Sequence, residues 1–333
     1  MAYDGRLLRL AQERYEADRS AREADLAEQR EQLYARRPRL RKFRISCAAR
    51  PAGDGRRSAA GRGPAAGDPA PAGRKPQLAG RTADAVGGAG PAGQRAGGYA
   101  PCPFCNDTGY RGGEMCRCLK TYYVEEQRKE LSKLLDLGSQ SFDTFDTDWY
   151  SDQRAPGKTK SAREHMEWVY DTCVEYAHNF GKKPANLLLF GRPGLGKTHL
   201  SAAIAREVSG KGFSVVYDTA GHIFERFEAQ KFGRDEAERD VERVLNCDLL
   251  ILDDLGTEMV TTFVQSALYQ IINGRLLEKK STIVSTNLMP EAIAQRYSGQ
   301  IASRIEGEYQ LLPFVGEDIR VLKRSGACKA ASI

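Results

Sequence analysis

A glycine-rich stretch has the residue types needed to hold the phosphates of a nucleotide. It reads GRPGLGKT and matches the pattern G-x-x-x-x-G-K-[ST] at every fixed position. Glycines let backbone N–H groups approach phosphate oxygens, the lysine neutralises the β- and γ-phosphates, and the hydroxyl ligates Mg²⁺. The apolar run NLLLF precedes it and a helical pattern follows, which is the context that such a loop requires. We therefore predict nucleotide binding by Gly191, Pro193, Gly194, Gly196, Lys197, Thr198 and the adjoining His199.

Two adjacent carboxylates follow a second apolar run further along the chain. Leu249 to Leu252 are consecutive large apolar residues, and Asp253 and Asp254 come directly after them. Because such a run indicates a strand buried on both faces, a solvated surface turn explains these acids poorly. We expect Thr198 to ligate Mg²⁺, Asp253 to hold the ion through water, and Asp254 to orient or deprotonate the attacking water.

A third apolar run, STIVST, is followed by Asn287. Ligands of parallel sheets bind at the carboxyl ends of the strands, where an uncharged amide can hold the attacking water near the γ-phosphate. Alone, Ser-Thr-Asn would be an ordinary helix cap ahead of Pro290, but beside the two other motifs we favour a functional role for Asn287. From about residue 160 onward helical patterns alternate with short apolar runs. This alternation predicts an α/β domain with a parallel sheet flanked by helices.

Four cysteines form two close pairs ahead of the predicted α/β domain. Two residues separate Cys102 from Cys105, and one residue separates Cys116 from Cys118. Each tight pair lets one turn present two sulfurs, as a tetrahedral Zn²⁺ site requires. A disulfide pair or four unrelated thiols are the alternatives, but eight cysteines in 333 residues are too few for a disulfide scaffold. Since four thiolates leave no position for a catalytic water, we predict a structural zinc site.

The composition of residues 44–99 is unlike the rest of the chain. This segment contains 15 Ala, 13 Gly, 6 Pro and 8 Arg but no Glu, and it cannot bury a core. It also accounts for the whole net charge of +6, so the remaining residues predict no overall basic field. Two explanations stay open: a flexible linker of biased composition, or a GC-rich reading frame translated between two compensating frame shifts near Phe43 and Tyr99.

The sequence also predicts how the chain is organised. The start lacks the apolar segment of a secretory signal, and no window of about 18 apolar residues exists, so we expect a cytoplasmic protein with no membrane partner. The expected segments are an N-terminal charged helix at 1–43 that ends at Pro38, the biased segment at 44–99, a zinc module at 100–120, a linker helix (about 121–137) and loop at 121–159, the α/β domain at 160–324 and a disordered tail at 325–333.

Together these motifs resemble the AAA+ ATPases, and within them the bacterial replicative helicase loaders of the DnaC and DnaI type. GRPGLGKTHL is similar to their Walker A motif, LLILDDLGTE to Walker B and VSTNL to sensor I, and the resemblance covers roughly residues 101–324. RYSGQIASRI is similar to the segment that carries the arginine finger, which falls on Arg304, and GEDIR resembles the sensor II region, which falls on Arg320. CPFCNDTGY followed by CRC is similar to the zinc module of DnaI-like loaders. Asp254 stands where AAA+ proteins more often have Glu.

The resemblance implies an AAA+ P-loop ATPase that uses ATP, Mg²⁺ and Zn²⁺ and loads a replicative DNA helicase onto single-stranded DNA. It also implies self-association, with Arg304 reaching the nucleotide site of a neighbouring copy. Two alternatives remain: an IstB-like transposition helper ATPase, against which the zinc module argues, and a nucleotide-binding zinc adaptor with little turnover. Tyr217 and Phe224 are candidates for stacking on single-stranded DNA, although we favour their burial in the core.

Overall fold

The computed structural model describes residues 3–36, 101–134, 140–154, 156–157, 159–231 and 235–325. Residues 44–99, to which the linker and frame-shift explanations apply, lie outside the described residues. Of the described residues, those up to Ala17 and those from Cys102 onward form one compact unit, and those from Asp18 to Arg36 belong to a second. Across the described ranges, no helix is both long and apolar enough to cross a membrane.

Five parallel strands form the central sheet of the first unit. In chain order they are β3 (Asn186–Phe190), β4 (Val215–Thr219), β5 (Leu249–Leu255), β6 (Ser281–Thr286) and β7 (Tyr309–Pro313), after a two-stranded antiparallel hairpin of β1 (Tyr110–Arg111) and β2 (Glu114–Met115). Their spatial order is β4-β5-β6-β3-β7. Each apolar run identified in the sequence forms one of these strands, which confirms the predicted α/β fold class with a parallel sheet flanked by helices.

Ten α-helices and two 3-10 helices, Phe142–Thr144 and Thr147–Trp149, occur in the described part of the chain. The α-helices are α1 (Gly5–Arg36), α2 (Arg117–Leu134), α3 (Ala162–Asn179), α4 (Lys197–Gly210), α5 (Ala220–Lys231), α6 (Asp235–Asn246), α7 (Thr262–Leu277), α8 (Pro290–Arg296), α9 (Gly299–Glu308) and α10 (Ile319–Arg324). Successive side chains of a strand point to opposite faces, so the sheet has a core on each side. Leu188 and Leu250 pack with α5 to α9, whereas Leu187 and Leu249 pack with α2, α3 and α4.

Helix α2 joins the cysteine module to the edge of this sheet. Gln127 is buried, its Nε2 donates to Phe213 O at 2.7 Å, and its Oε1 accepts from Val215 N at 3.3 Å. The side chain thus satisfies backbone groups at the free edge of β4, which would otherwise need water. Arg243 of α6 adds an ion pair with Glu130 of α2 at 2.7 Å. These contacts fix α2 against the central sheet.

The first turns of α1 pack against α2. Leu7, Ala11 and Tyr15 recur every four residues, lie on one face and are buried in a small core with Leu119 and Tyr123. The structure therefore confirms a helix over Gly5–Arg36, and its predicted end at Pro38 lies outside the described residues. Helix α2 starts at Arg117, four residues earlier than the sequence suggested, which places Cys118 in its first turn.

Candidate functional site

The loop between β3 and α4 has glycines at positions where a side chain would not fit. Gly191, Gly194 and Gly196 have φ angles of +144°, +76° and +87°, a region that favours glycine. A Cβ atom on Gly191 would lie 2.4 Å from Phe314 O, and one on Gly194 would lie 2.0 Å from Asp318 Oδ1. The backbone conformation and the neighbouring atoms therefore both require glycine at Gly191, which the motif fixes, and at Gly194, which the motif leaves open.

Lys197 lies inside this loop, with only 5% of its surface exposed. Its Nζ donates to Gly191 O at 2.8 Å, to Arg192 O at 2.9 Å and to Asn287 Oδ1 at 2.8 Å. Burial lowers the pKa of Lys197, and the nearby carboxylates of Asp254 and Asp253 oppose that shift. Because its three bonded partners are neutral oxygens, a phosphate would be a stronger, charged acceptor for this ammonium.

Asp253 lies at the carboxyl end of β5, next to the start of α4. Its Oδ2 accepts from Thr198 Oγ1 at 3.1 Å and from Tyr217 Oη at 2.5 Å. Its Oδ1 is buried and has no hydrogen-bond partner among the described residues. A buried carboxylate oxygen without a donor, beside a threonine hydroxyl, fits an Mg²⁺ ion or one of its waters. Thr198 and Asp253, the two residues assigned to Mg²⁺, are therefore together and suited to it.

Asp254 adopts an unusual backbone conformation. Its φ is +53°, and the pairing of β5 with β6 shifts register between Leu252 and Leu255, on either side of the two acids. A bulge of this kind re-aims side chains at a strand end, and a strained residue there is common at functional sites. Asp254 is half-buried, and its pKa is raised by desolvation and then by the charge of Asp253.

Arg320 lies in the first turn of α10, which is attached to the phosphate loop. Ile319 N donates to Gly194 O at 3.1 Å, and Asp318 caps the helix by accepting from Arg320 N at 2.8 Å. Burial lowers the pKa of Lys197, and the positive charge of Arg320 adds to that effect. The structure therefore brings Arg320 close enough to the loop for an electrostatic interaction.

Arg304 contacts Tyr269 of α7 and not the phosphate loop. From α9 its Nη2 donates to Tyr269 Oη at 3.3 Å, and its guanidinium carbon lies 5.4 Å from the centre of the Tyr269 ring. The surface beside it has a groove of about 600 Å³ that also includes Gln300 and Ser303. Its described contacts thus lie on the α7–α9 surface and not at the phosphate loop of its own chain.

His199 contacts the segment that precedes α3. Its Nε2 lies 2.9 Å from Ser141 O, and its ring meets Phe145 edge-on at 5.3 Å between centres. Phe145 also packs under the phosphate loop, since a Cβ on Gly196 would approach it to 2.8 Å. Tyr150 Oη donates to Leu195 O at 2.9 Å. Phe145 and Tyr150 were missed by the sequence analysis, because their positions carry no motif.

Tyr217 and Phe224 are buried, with 5% and 4% of their surfaces exposed. The expectation of core packing is therefore confirmed, and the alternative that they stack on DNA is wrong. The sequence analysis also missed that the Tyr217 hydroxyl bonds to Asp253. Burial raises the pKa of Tyr217, and the neighbouring Asp253 adds to the shift, so the phenol keeps its proton and donates it.

The four cysteines converge as their spacing predicts. The sulfur atoms of Cys102, Cys105, Cys116 and Cys118 all lie within 4.8 Å of one another. Two of the separations are 3.9 Å and 3.4 Å. Zn–S bonds of about 2.3 Å in a tetrahedron require sulfurs about 3.8 Å apart, so this donor set fits Zn²⁺. The Tyr15 hydroxyl of α1 lies 3.5 Å from Cys118 Sγ and covers one side of the cluster.

Comparison with known proteins identifies the phosphate-binding domain. Residues 176–302 match the family of IstB-like ATP binding proteins. The replicative helicase loader DnaC of Buchnera aphidicola subsp. Baizongia pistaciae is 33% identical over 116 residues, which are 34% of this chain and 47% of the relative. The replicative helicase loader DnaC of Escherichia coli K12 is 28% identical over 133 residues, which are 39% of this chain and 54% of the relative.

Among solved structures, the crystal structure of the DnaC helicase loader is similar to 54% of this chain and 99% of its own, at 25% sequence identity and a TM-score of 0.45. The chain spans about half the length of the curated relatives it matches. The matched residues contain the phosphate loop, the paired acids and Asn287. Residues 176–302 therefore form an IstB-like ATP-binding domain, and over this part the chain is homologous to the DnaC helicase loaders.

Proposed function

We propose that this protein binds and hydrolyses ATP and loads a replicative hexameric helicase onto single-stranded DNA. The proposal rests on one observation: five side chains meet at the carboxyl ends of the parallel strands. They are Lys197, Thr198, Asp253, Asp254 and Asn287. The homology to proteins named helicase loaders supports helicase loading as the function of this nucleotide site. Hydrolysis acts as a switch that times the release of the helicase.

Each residue has one part in the proposed hydrolysis. Lys197 neutralises charge on the β- and γ-phosphates, and Thr198 and Asp253 hold the Mg²⁺ that polarises the phosphate oxygens when it is bound. Asp254 orients the attacking water and accepts its proton, a task for which a raised carboxylate pKa is favourable. Asn287, which contacts Lys197, holds the water near the γ-phosphate.

Two arginines complete the proposed site from different directions. Arg320, held beside the phosphate loop by α10, adds positive charge within the same chain. Arg304 lies on an accessible groove and acts on the nucleotide of a neighbouring copy, so hydrolysis depends on self-association. The four cysteines hold Zn²⁺ in a closed, structural site, since every ligand position is taken by a thiolate.

A transposition helper ATPase is the second candidate. The family whose model matches residues 176–302 is described as IstB-like, and the same nucleotide site would serve either activity. The two candidates differ in the partner that the ATP-bound protein holds.

Affinity capture with defined partners tests the proposal. The full chain is immobilised with ATP, with ADP or without nucleotide, and is offered the replicative helicase or a transposase from its source. We expect the helicase to be retained with ATP and released as phosphate forms. Retention of the transposase alone would favour the second candidate. Retention of the helicase without any phosphate release would instead indicate an adaptor with little turnover.

A further inference from the structure

Tyr217 stands in the middle of β4, the edge strand of the sheet, opposite Ile251 of β5. Its ring packs in the core shared by α3 and α4, and its hydroxyl reaches Asp253 Oδ2 at 2.5 Å. Asp253 is two residues beyond Ile251 on the neighbouring strand. The tyrosine is therefore long enough to reach the end of β5 while its own backbone stays within the sheet.

The two oxygens of Asp253 have different surroundings. Oδ2 accepts from both Tyr217 and Thr198, whereas Oδ1 is buried without a donor among the described residues. Two donors on one oxygen fix the rotation of the carboxylate, so Oδ1 is held in one direction. A buried carboxylate oxygen without a donor costs free energy, unless a cation or its water can reach it.

The two donors are not equivalent. Thr198 is itself assigned to Mg²⁺, so its hydroxyl has a second task when the ion binds. Tyr217 has no such task, and its phenol is neutral. A neutral donor orients the carboxylate without cancelling its charge, whereas an arginine or lysine in the same place would reduce its attraction for a cation.

We propose that Tyr217 is a positioning residue for Mg²⁺, which holds the Asp253 carboxylate so that Oδ1 is presented to the ion. The inference rests on the proposed roles of Asp253 and Thr198 in Mg²⁺ binding. Tyr217 acts only through Asp253 and does not touch the nucleotide. Removal of its hydroxyl should weaken the site for Mg²⁺ and leave the phosphate loop unchanged.

The test compares Tyr217→Phe with a matched control, Tyr309→Phe. Tyr309 is also a buried strand tyrosine, but it lies at the amino end of β7, away from the acids. Binding of a fluorescent ATP analogue is titrated with Mg²⁺ and repeated in EDTA. Because loss of an outer hydrogen bond typically weakens metal affinity 10- to 100-fold, we expect Tyr217→Phe to need about 10-fold more Mg²⁺ for half-maximal enhancement of binding.

In EDTA, Tyr217→Phe should bind the analogue as the wild type does, and Tyr309→Phe should match the wild type in both conditions. An unchanged Mg²⁺ requirement in Tyr217→Phe contradicts the inference. So does a loss of binding in EDTA or a failure to fold, because the hydroxyl would then serve the fold and not the ion.

Asp253→Asn separates failure of this inference from failure of the proposed function. If Asp253→Asn raises the Mg²⁺ requirement and Tyr217→Phe does not, the role of Tyr217 alone is wrong. If neither variant raises it, the assignment of Mg²⁺ to Asp253 is wrong as well. The double variant should need no more Mg²⁺ than Asp253→Asn, since Tyr217 acts through that carboxylate.

Discussion

Lys197 brings a positive charge into the phosphate loop, and its bonded partners there are backbone and amide oxygens. Replacing it by alanine leaves the glycines and the strand unchanged but removes the charge-assisted bonds to phosphate. Bonds to charged groups contribute about 1.5–3 kcal/mol each, so Lys197→Ala should weaken Mg²⁺-ATP binding about 100-fold in calorimetry. Lys183→Ala, at an exposed position before β3, is the control. Near-native ATP affinity in Lys197→Ala would refute the assignment of the loop.

Arg304 is held by a phenol and not by the nucleotide site of its own chain. Arg304→Ala should therefore bind ATP normally and lose hydrolysis about 10³-fold, as expected for a finger acting on a neighbour's transition state. Mixing Arg304→Ala with Lys197→Ala should restore phosphate release, because the first supplies an intact site and the second an intact finger. If the two variants associate on a sizing column and mixing restores nothing, Arg304 is not a shared finger.

The residues that sequence could predict are those fixed by local spacing. Three motifs each lie within one short segment: the phosphate loop, the paired acids and the cysteine pairs. Their residue types and spacing can therefore be recognised in the sequence. Tyr217 and Phe145 act through contacts with residues far along the chain, such as Asp253 and His199. Strand periodicity predicts that Tyr217 is buried, but only the pairing of β4 with β5 places its hydroxyl on a carboxylate.

Among the elements, β3, β5 and β6 follow directly from the apolar runs, because strands buried on both faces need continuous apolar side chains. The docking of α2 could not be predicted in this way. It depends on Gln127, a polar side chain for which the helix pattern indicates no partner. In the fold this side chain is buried against the edge of β4. Such contacts depend on how elements that are far apart in the sequence are aligned in the fold.

Loss of the metal should affect the cysteine module and spare the nucleotide site. A closed tetrathiolate site contributes its binding energy to local folding, so Cys102→Ser with Cys105→Ser should release about one zinc per chain and make residues 101–120 sensitive to protease. ATP binding should persist, because Gln127 attaches α2 to the sheet independently of the sulfurs. Cys173→Ala, at a buried cysteine of α3, should keep its zinc. Metal analysis that finds no zinc in the wild type, purified without chelator, would contradict the assignment.

The ATP-binding domain and residues 44–99 need different tests. The structure and the homology support the ATP-binding domain. The choice between a linker and a frame shift for residues 44–99 depends on the coding sequence. If neither other reading frame across this region encodes a charged, helix-forming stretch, the frame-shift explanation is wrong and the linker explanation stands.

We propose that this chain places a replicative helicase on single-stranded DNA under the control of ATP. The most direct measurement is the amount of the source's replicative helicase retained on closed circular single-stranded DNA, with ATP and with or without the full chain. We predict that the wild type raises this amount several-fold and that Lys197→Ala does not. Equal retention with and without the wild-type chain would contradict the loading activity, and equal retention with wild type and Lys197→Ala would contradict its control by ATP.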